Sequence, residues 1–264
     1  MVFLAYPIFK AFAGSMHDWN PMTGVYEWNG LENFKTILSD PLFWQSIWNT
    51  FYFSFFAVIL RIVLGLGIAL MLVSQLAKAK TFFRALFYMP TITPLVAVSL
   101  VWVWMYDPQF GLIDKFFGIH VNWLQDPKWA MPAIIIMTAW KDFGYATVLY
   151  MAALINIPKD ILEAAQIDGA DSWQKFWNIT LPLIRPTTVF VFITSLITYF
   201  QAYVQILMMT DGGPGTKTYT ISYLIYSRAF VNYDFGTASA MSVILFLITG
   251  ILSFLSLRVS SEKD

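Results

Sequence analysis

The chain reads as an all-α, polytopic membrane bundle, and three observations lead there. Of its 264 residues 58% are hydrophobic and only 12% charged, where a soluble domain carries about 25% charged residues. Apolar runs long enough to cross a bilayer recur along it, at 47–74, 83–106, 129–154, 187–209 and 235–257. Lipid offers no partner to a free backbone amide, so each run must be a helix. The reading is five complete spans after a partial N-terminal one, forming a single transmembrane domain over 1–264 with a charged segment at 156–186.

The opening stretch, "MVFLAYPIFKAFAG", has small residues at Ala11 and Ala13. It lacks a basic leader, and Pro7 and Lys10 break its apolar run, so it reads as the outer part of a membrane helix rather than a cleaved signal. A dozen residues at about 1.5 Å each cover about 18 Å of a core about 30 Å thick. Either the span is cut short or its start lies upstream.

In the first complete span Arg61 stands mid-membrane, where only an acid, a carbonyl or a water-filled cleft makes it tolerable; its role is unassigned. Gly65 and Ala69 form a small-xxx-small pair suited to close helix packing. The second span contains Pro90 and Pro94, which predict a kink and freed carbonyls that neighbouring helices must satisfy. Trp44, Trp48, Trp102, Trp104, Tyr106 and Trp129 lie near span ends, as interfacial anchors do.

The third span places Thr138, Lys141, Asp142 and Tyr145 at i, i+3, i+4 and i+7, on one stripe. Ionisable groups near the midplane cost about 2.5 to 3.5 kcal/mol and must face protein or water. As sequence neighbours, Lys141 and Asp142 point about 100° apart and need not pair. In the fourth span Thr187, Thr194, Thr198, Gln201 and Gln205 fall within a narrow helical arc, with Tyr199 and Tyr203 on the adjoining face. Two readings of these stripes stay open: the wall of a polar cavity, or hydrogen bonds between helices, at about 0.6 kcal/mol each. The "GGPG" at 212–215 is turn chemistry.

Other functions are excluded by what is missing. A formal charge of zero leaves no basic face for nucleic acid. There are no cysteines, and His17 and His120 lie far apart, which argues against a metal site. No G-x-x-x-x-G-K-[ST] occurs, so the chain holds no nucleotide by that route. Among the connecting segments, Lys78, Lys80, Arg84, Lys159, Lys175, Arg185, Arg258 and Lys263 outweigh Lys35, Lys115, Lys128, Lys217 and Arg228 on the opposite side. The richer side is expected to be cytoplasmic, with the C-terminus on it.

The segment 156–186 begins "NIPKDILEAAQIDGADSW". Pro158 suits a first helical turn, Asp160 and Glu163 favour its positive end, and Gly169 can take the left-handed conformation that closes it. Asp171 or Ser172 can cap a second short helix, which Pro182 limits. The small pair Ala164 and Ala165 would let another surface approach. Glu163, Ala164, Ala165, Gly169, Ile179, Leu181 and Pro182 stand in a spacing that resembles the signature of the inner-membrane permease subunits of binding-protein-dependent ABC importers. The stretches "WNGLENFKTILSDPLFWQSIWNT", "FFRALFYMPTITP", "YDPQFGLID" and "DGGPGTKTYTISYLIYSRAF" are similar to the carbohydrate branch, maltose-permease-F-like and glycerol-phosphate-permease-A-like.

The resemblance implies a transport subunit of the cell membrane and no enzyme. It implies a second permease, most simply in a heterodimer, two ATPase subunits that bind ATP and Mg, and an extracytoplasmic solute-binding protein. The 158–182 loop would be a coupling helix docking on the ATPase through Glu163, Ala164, Ala165, Gly169, Leu181 and Pro182. Thr138, Lys141, Asp142, Tyr145, Thr194, Thr198, Tyr199, Gln201, Tyr203 and Gln205 would line the substrate path. Their hydroxyls and amides suit sugar hydroxyls, and their tyrosine rings a pyranose face. The rival is a secondary transporter in which Lys141 and Asp142 carry coupling ions. An intramembrane enzyme is disfavoured, because the midplane charges include neither paired carboxylates nor histidine.

Overall fold

The structure is a computed structural model and describes residues 2–74 and 79–261; Lys78 and Lys263 of the charge asymmetry lie outside them. Helix α1 (Val2–Gly14) is followed by a hairpin, β1 (His17–Asn20) and β2 (Val25–Trp28). The strands pair antiparallel from His17 opposite Trp28 to Asn20 opposite Val25. This hairpin is a departure from the purely helical expectation. Asn20 builds its turn by accepting the Met22 and Thr23 amides, and Gly24 supplies a φ of 75°. Buried Asn33, on α2 (Glu32–Ser39), donates to the Ser15 and His17 carbonyls and pins the hairpin to the bundle.

Helix α3 (Pro41–Val73) begins earlier than expected, because Asp40 caps the Leu42 amide and Pro41 opens the first turn. At 33 residues it runs about 50 Å. Its long partner is α7 (Ala130–Ile155), seated where Gly65 lies: a Cβ there would stand 2.7 Å from the Ala146 Cβ. Ala69 and Ala146 are fully buried in the same seam, so the small-residue expectation holds.

The expected span 83–106 is instead two helices, α4 (Lys80–Ile92) and α5 (Leu95–Met105), meeting at 97°. The two prolines do more than kink a continuous rod. Pro94 has no N–H for the Pro90 carbonyl, and the turn at Thr93 moves the Leu95 amide away from Thr91. After α5 the "YDPQFGLID" stretch turns on Asp107, whose carboxylate accepts the Gln109 and Phe110 amides at 2.8 Å each. Those bonds hold its pKa below the usual carboxylate value. The next element is the short α6 (Leu112–Phe117).

Segment 156–186 forms α8 (Lys159–Ile167), α9 (Ser172–Lys175), a π-helical turn (Phe176–Thr180) and α10 (Leu181–Leu183). Pro182 therefore sits inside the second helix rather than ending it. The chain bends by 63° at Ile184 into α11 (Arg185–Phe200).

The expected span 187–209 is also divided. Helix α11 stops at Phe200, residues 201–203 form a tight turn, and α12 (Val204–Met209) follows. The turn closes with the Gln201 amide on the Thr198 carbonyl and the Ala202 amide on that of Tyr199. The carbonyls lost to the helix are taken from elsewhere: the Thr220 hydroxyl donates to Ala202 at 2.7 Å and the Ser222 hydroxyl to Phe200 at 3.1 Å. Both belong to the start of α13 (Ile221–Tyr226). A second π-helical turn (Ser227–Val231) leads to α14 (Phe235–Ser261), against which α1 packs through Phe12 and Phe246.

Among the described residues two single helices, α3 and the Phe235–Phe254 part of α14, are long and apolar enough to cross a membrane. The bent pairs α4–α5 and α9–α11 raise that to four. Helix α7 has 26 residues, but Lys141 and Asp142 make it more polar than those two. The expected five complete spans are thus not reproduced as five straight apolar rods.

Candidate functional site

Helix α8 starts after Pro158 and carries Asp160 in its first turn. It ends on a left-handed Gly169 with a φ of 81°, and the Ala170 amide bonds back to the Ala165 carbonyl at 2.9 Å and that of Gly169 to Gln166 at 3.2 Å. These are the paired bonds of a Schellman closure. Asp171 then caps α9 in a reciprocal box: it accepts the Gln174 amide at 2.7 Å, and Gln174 accepts the Asp171 amide at 3.0 Å.

The orientation of α8 follows from its apolar side. Leu162 and the buried Ala165 turn inward, and Leu162 packs with Leu181 against Ile157, Leu154 and Ile184 at the base of α7 and α11. Glu163, Ala164, Gly169 and Pro182 face outward. Ala165, expected to meet another surface beside Ala164, is thus spent within this chain. Sequence reasoning assigned no contact role to the large apolar side chains exposed on the same loop: Ile161, Ile167, Trp173 and Trp177. Ile161 and Ile167, flanking Ala164 at three-residue steps, were the available signal.

The polar stripes resolve into two parts. Thr198, Gln201 and Tyr203 are exposed, while Tyr199, Gln205 and Thr138 are buried. Because the helix breaks at Gln201, Gln201 and Gln205 do not continue the Thr194–Thr198 arc. Thr194 and Thr198 donate to carbonyls of their own helix, at Phe190 and Thr194. Tyr203 stacks on Tyr226 with ring centroids 5.7 Å apart. Tyr145 borders a cleft of about 380 Å³ whose other walls include Arg84, Tyr88 and Leu149.

The spacing of Lys141 and Asp142 leaves their pairing open; in the structure they pair, with the ammonium 3.3 Å from the carboxylate. Lys141 also donates to the Thr91 carbonyl at 3.3 Å, and the Thr91 hydroxyl returns a bond to the Lys141 carbonyl at 3.1 Å. The second Asp142 oxygen accepts the Tyr199 hydroxyl at 3.2 Å. Arg61, unassigned from sequence, donates to Ser195 at 3.0 Å and lies 5.4 Å from the Tyr145 ring centroid and 5.9 Å from that of Tyr199. Thr91 and Ser195 carried no signal in the sequence beyond being small hydroxyls in apolar runs. Among the described residues no cluster of metal-ligating side chains occurs.

The chain is thus a helical bundle with a short exposed helix, α8, between α7 and α11. The chain belongs to the family described as "Binding-protein-dependent transport system inner membrane component", which matches residues 61–263. It is 33% identical to the multiple sugar-binding transport system permease protein MsmF of Streptococcus mutans, covering 100% of this chain and 92% of that one. It is 33% identical to the lactose transport system permease protein LacF of Rhizobium radiobacter, over 99% and 90%. The sn-glycerol-3-phosphate transport system permease protein UgpA of Escherichia coli is 31% identical, over 100% and 90%. In fold it is similar to a chain of a bacterial ABC transporter involved in the import of alginate, with a TM-score of 0.85 at 23% identity, covering 100% of this chain and 91% of that one. The chain is a permease subunit of an ABC importer, a transport component and not an enzyme. The secondary-transporter reading finds no support in these relatives.

Proposed function

We propose that this permease serves a carbohydrate importer of the cell's inner membrane. In this reading residues 1–264 act as one multi-pass domain with a cytoplasmic C-terminus. It works beside a second, related permease, an extracytoplasmic solute-binding protein and two ATPase subunits that bind ATP and Mg. The observation that carries the coupling role is the outward Glu163–Ala164 edge of α8, whose Leu162 packs against the apolar cluster at the base of α7 and α11. Glu163 and Ala164 meet the ATPase, Gly169 permits the turn, and Ile161, Ile167, Trp173 and Trp177 add apolar contact area.

For the cargo, the support is the names of the relatives and the chemistry of the accessible groups. Thr198, Gln201 and Tyr203 offer a hydroxyl, an amide and an aromatic face to a sugar. Thr138, Tyr145, Thr194, Tyr199 and Gln205 form the wall behind them, and behind that wall Asp142 holds Tyr199 and pairs with Lys141. The test is ATP hydrolysis by the reconstituted complex against a panel of labelled saccharides. One class of saccharide should stimulate it, and stimulation by none would sink the carbohydrate reading. Glu163→Ala should lower uptake per ATP roughly tenfold with normal recovery of the complex. Uptake at the unsubstituted level would remove α8 from the coupling role.

A further inference from the structure

We infer that Lys141 is a positioning residue that locks the α4–α5 elbow to α7, so that the elbow travels with the helix leading into the coupling loop. The inference rests on the coupling role proposed for α8.

In lipid an unpaired carbonyl costs several kcal/mol, and the end of α4 frees several of them. The Thr93 hydroxyl takes Met89 at 3.0 Å and its amide takes Pro90 at 3.3 Å. Neither reaches Thr91, whose carbonyl would have been met by Leu95 had the helix gone on. The Lys141 ammonium occupies that place, and a cation is the favourable group at a helix C-terminus. The return bond from the Thr91 hydroxyl to the Lys141 carbonyl makes the link two-way. Directly below, Gly144 lets the backbones close: a Cβ there would stand 2.3 Å from the Phe87 carbonyl oxygen.

Asp142 supplies the counter-charge for Lys141 and at the same time accepts from Tyr199. Tyr199 stands on α11, the helix that leaves the coupling loop, as α7 is the helix that enters it. Both flanks of the loop and the elbow are therefore joined through one lysine–aspartate pair. A displacement of α8 that moves α7 must carry the elbow along or break these bonds. The Lys141 side chain is only 12% exposed, and its ammonium is engaged by the Thr91 carbonyl and the Asp142 carboxylate. It acts on transport through the elbow rather than by touching cargo.

The test uses the reconstituted complex with its binding protein and ATPase, and spin labels at exposed Phe82 on α4 and Val101 on α5. Lys141→Met should lower uptake per ATP roughly tenfold and broaden the distance between the labels. The solute concentration giving half-maximal stimulation should stay within roughly twofold, the pattern of a residue that does not bind solute. Lys141→Arg should recover most of the loss. A rise in half-saturating solute of roughly tenfold with the maximal rate retained would make Lys141 a solute contact and overturn the inference. So would unchanged uptake and label distance, or failure of both Lys141→Met and Lys141→Gln to assemble, which would reduce Lys141 to a folding requirement. Glu163→Ala is measured in parallel. If it leaves uptake intact while Lys141→Met does not, the coupling-loop reading falls and the elbow lock stands; the reverse pattern overturns the lock.

Discussion

The molecule breaks two of its membrane-length apolar runs, at Thr93–Pro94 and at Gln201–Tyr203, and the two breaks are built differently. At the first, prolines remove donors, so the place of the break is written locally and only its angle is set from a distance, by Lys141 and Gly144. At the second no proline or glycine intervenes. The helix stops because the α13 start offers Thr220 and Ser222 to the freed carbonyls of Ala202 and Phe200. Both breaks obey one rule: an apolar run can leave the helix only where another element replaces the lost bonds. The chain elbow at Ile184 marks the contrast, since there the Ile184 carbonyl is met by the hydroxyl of the nearby Thr188.

Substitutions that attack these supports should separate the cases. The largest effect is expected at Gly144→Val, which drives side-chain atoms into the α4 backbone; it should cost about 3 kcal/mol, read as a lowered melting midpoint of the purified complex. Next comes Thr220→Val. It strips a fully buried donor from the Ala202 carbonyl and an N-cap from the Tyr223 amide, for about 2 kcal/mol. If its midpoint matches the unsubstituted complex, the second break is held by something other than α13.

Smaller effects are expected in the 156–186 loop, whose turns are local. Gly169→Ala meets open space but must keep a φ of 81°, so it should cost about 1 kcal/mol, with Gly169→Asn milder. Asp171→Ala removes one half of the capping box and should raise amide exchange at Gln174, for about 1 kcal/mol or less. Equal exchange rates would mean that α9 is held by packing and not by its cap.

These differences show where the sequence was readable. Gly169, Asp171 and Pro158 were legible because a turn or cap is decided by a few adjacent residues. The outward face of α8 was only partly so: Ala164 and Ala165 are alike in sequence, and the base of α7 and α11 decides that one is buried. The spacing of Thr138, Lys141, Asp142 and Tyr145 gives the stripe, but it leaves open whether Lys141 and Asp142 pair. A flexible four-carbon stem can bend back to its neighbour when a carbonyl and a tyrosine hold the ends of the pair. The stripe from Thr194 to Gln205 was extrapolated along a helix that does not exist past Phe200.

By itself the sequence determined that the chain is mostly helical and lives in lipid, how the turn at Gly169 and the cap at Asp171 are made, and which loop is polar. Those properties follow from composition, backbone hydrogen bonding and side chains within a turn of each other. The tertiary structure alone decided where apolar runs break without proline, at what angle α5 leaves α4, and what a buried arginine meets. Each of these depends on Ser195, Thr91, Thr220 or Ser222 arriving from a distant part of the chain, and no local pattern encodes which of many small hydroxyls will be the one that arrives.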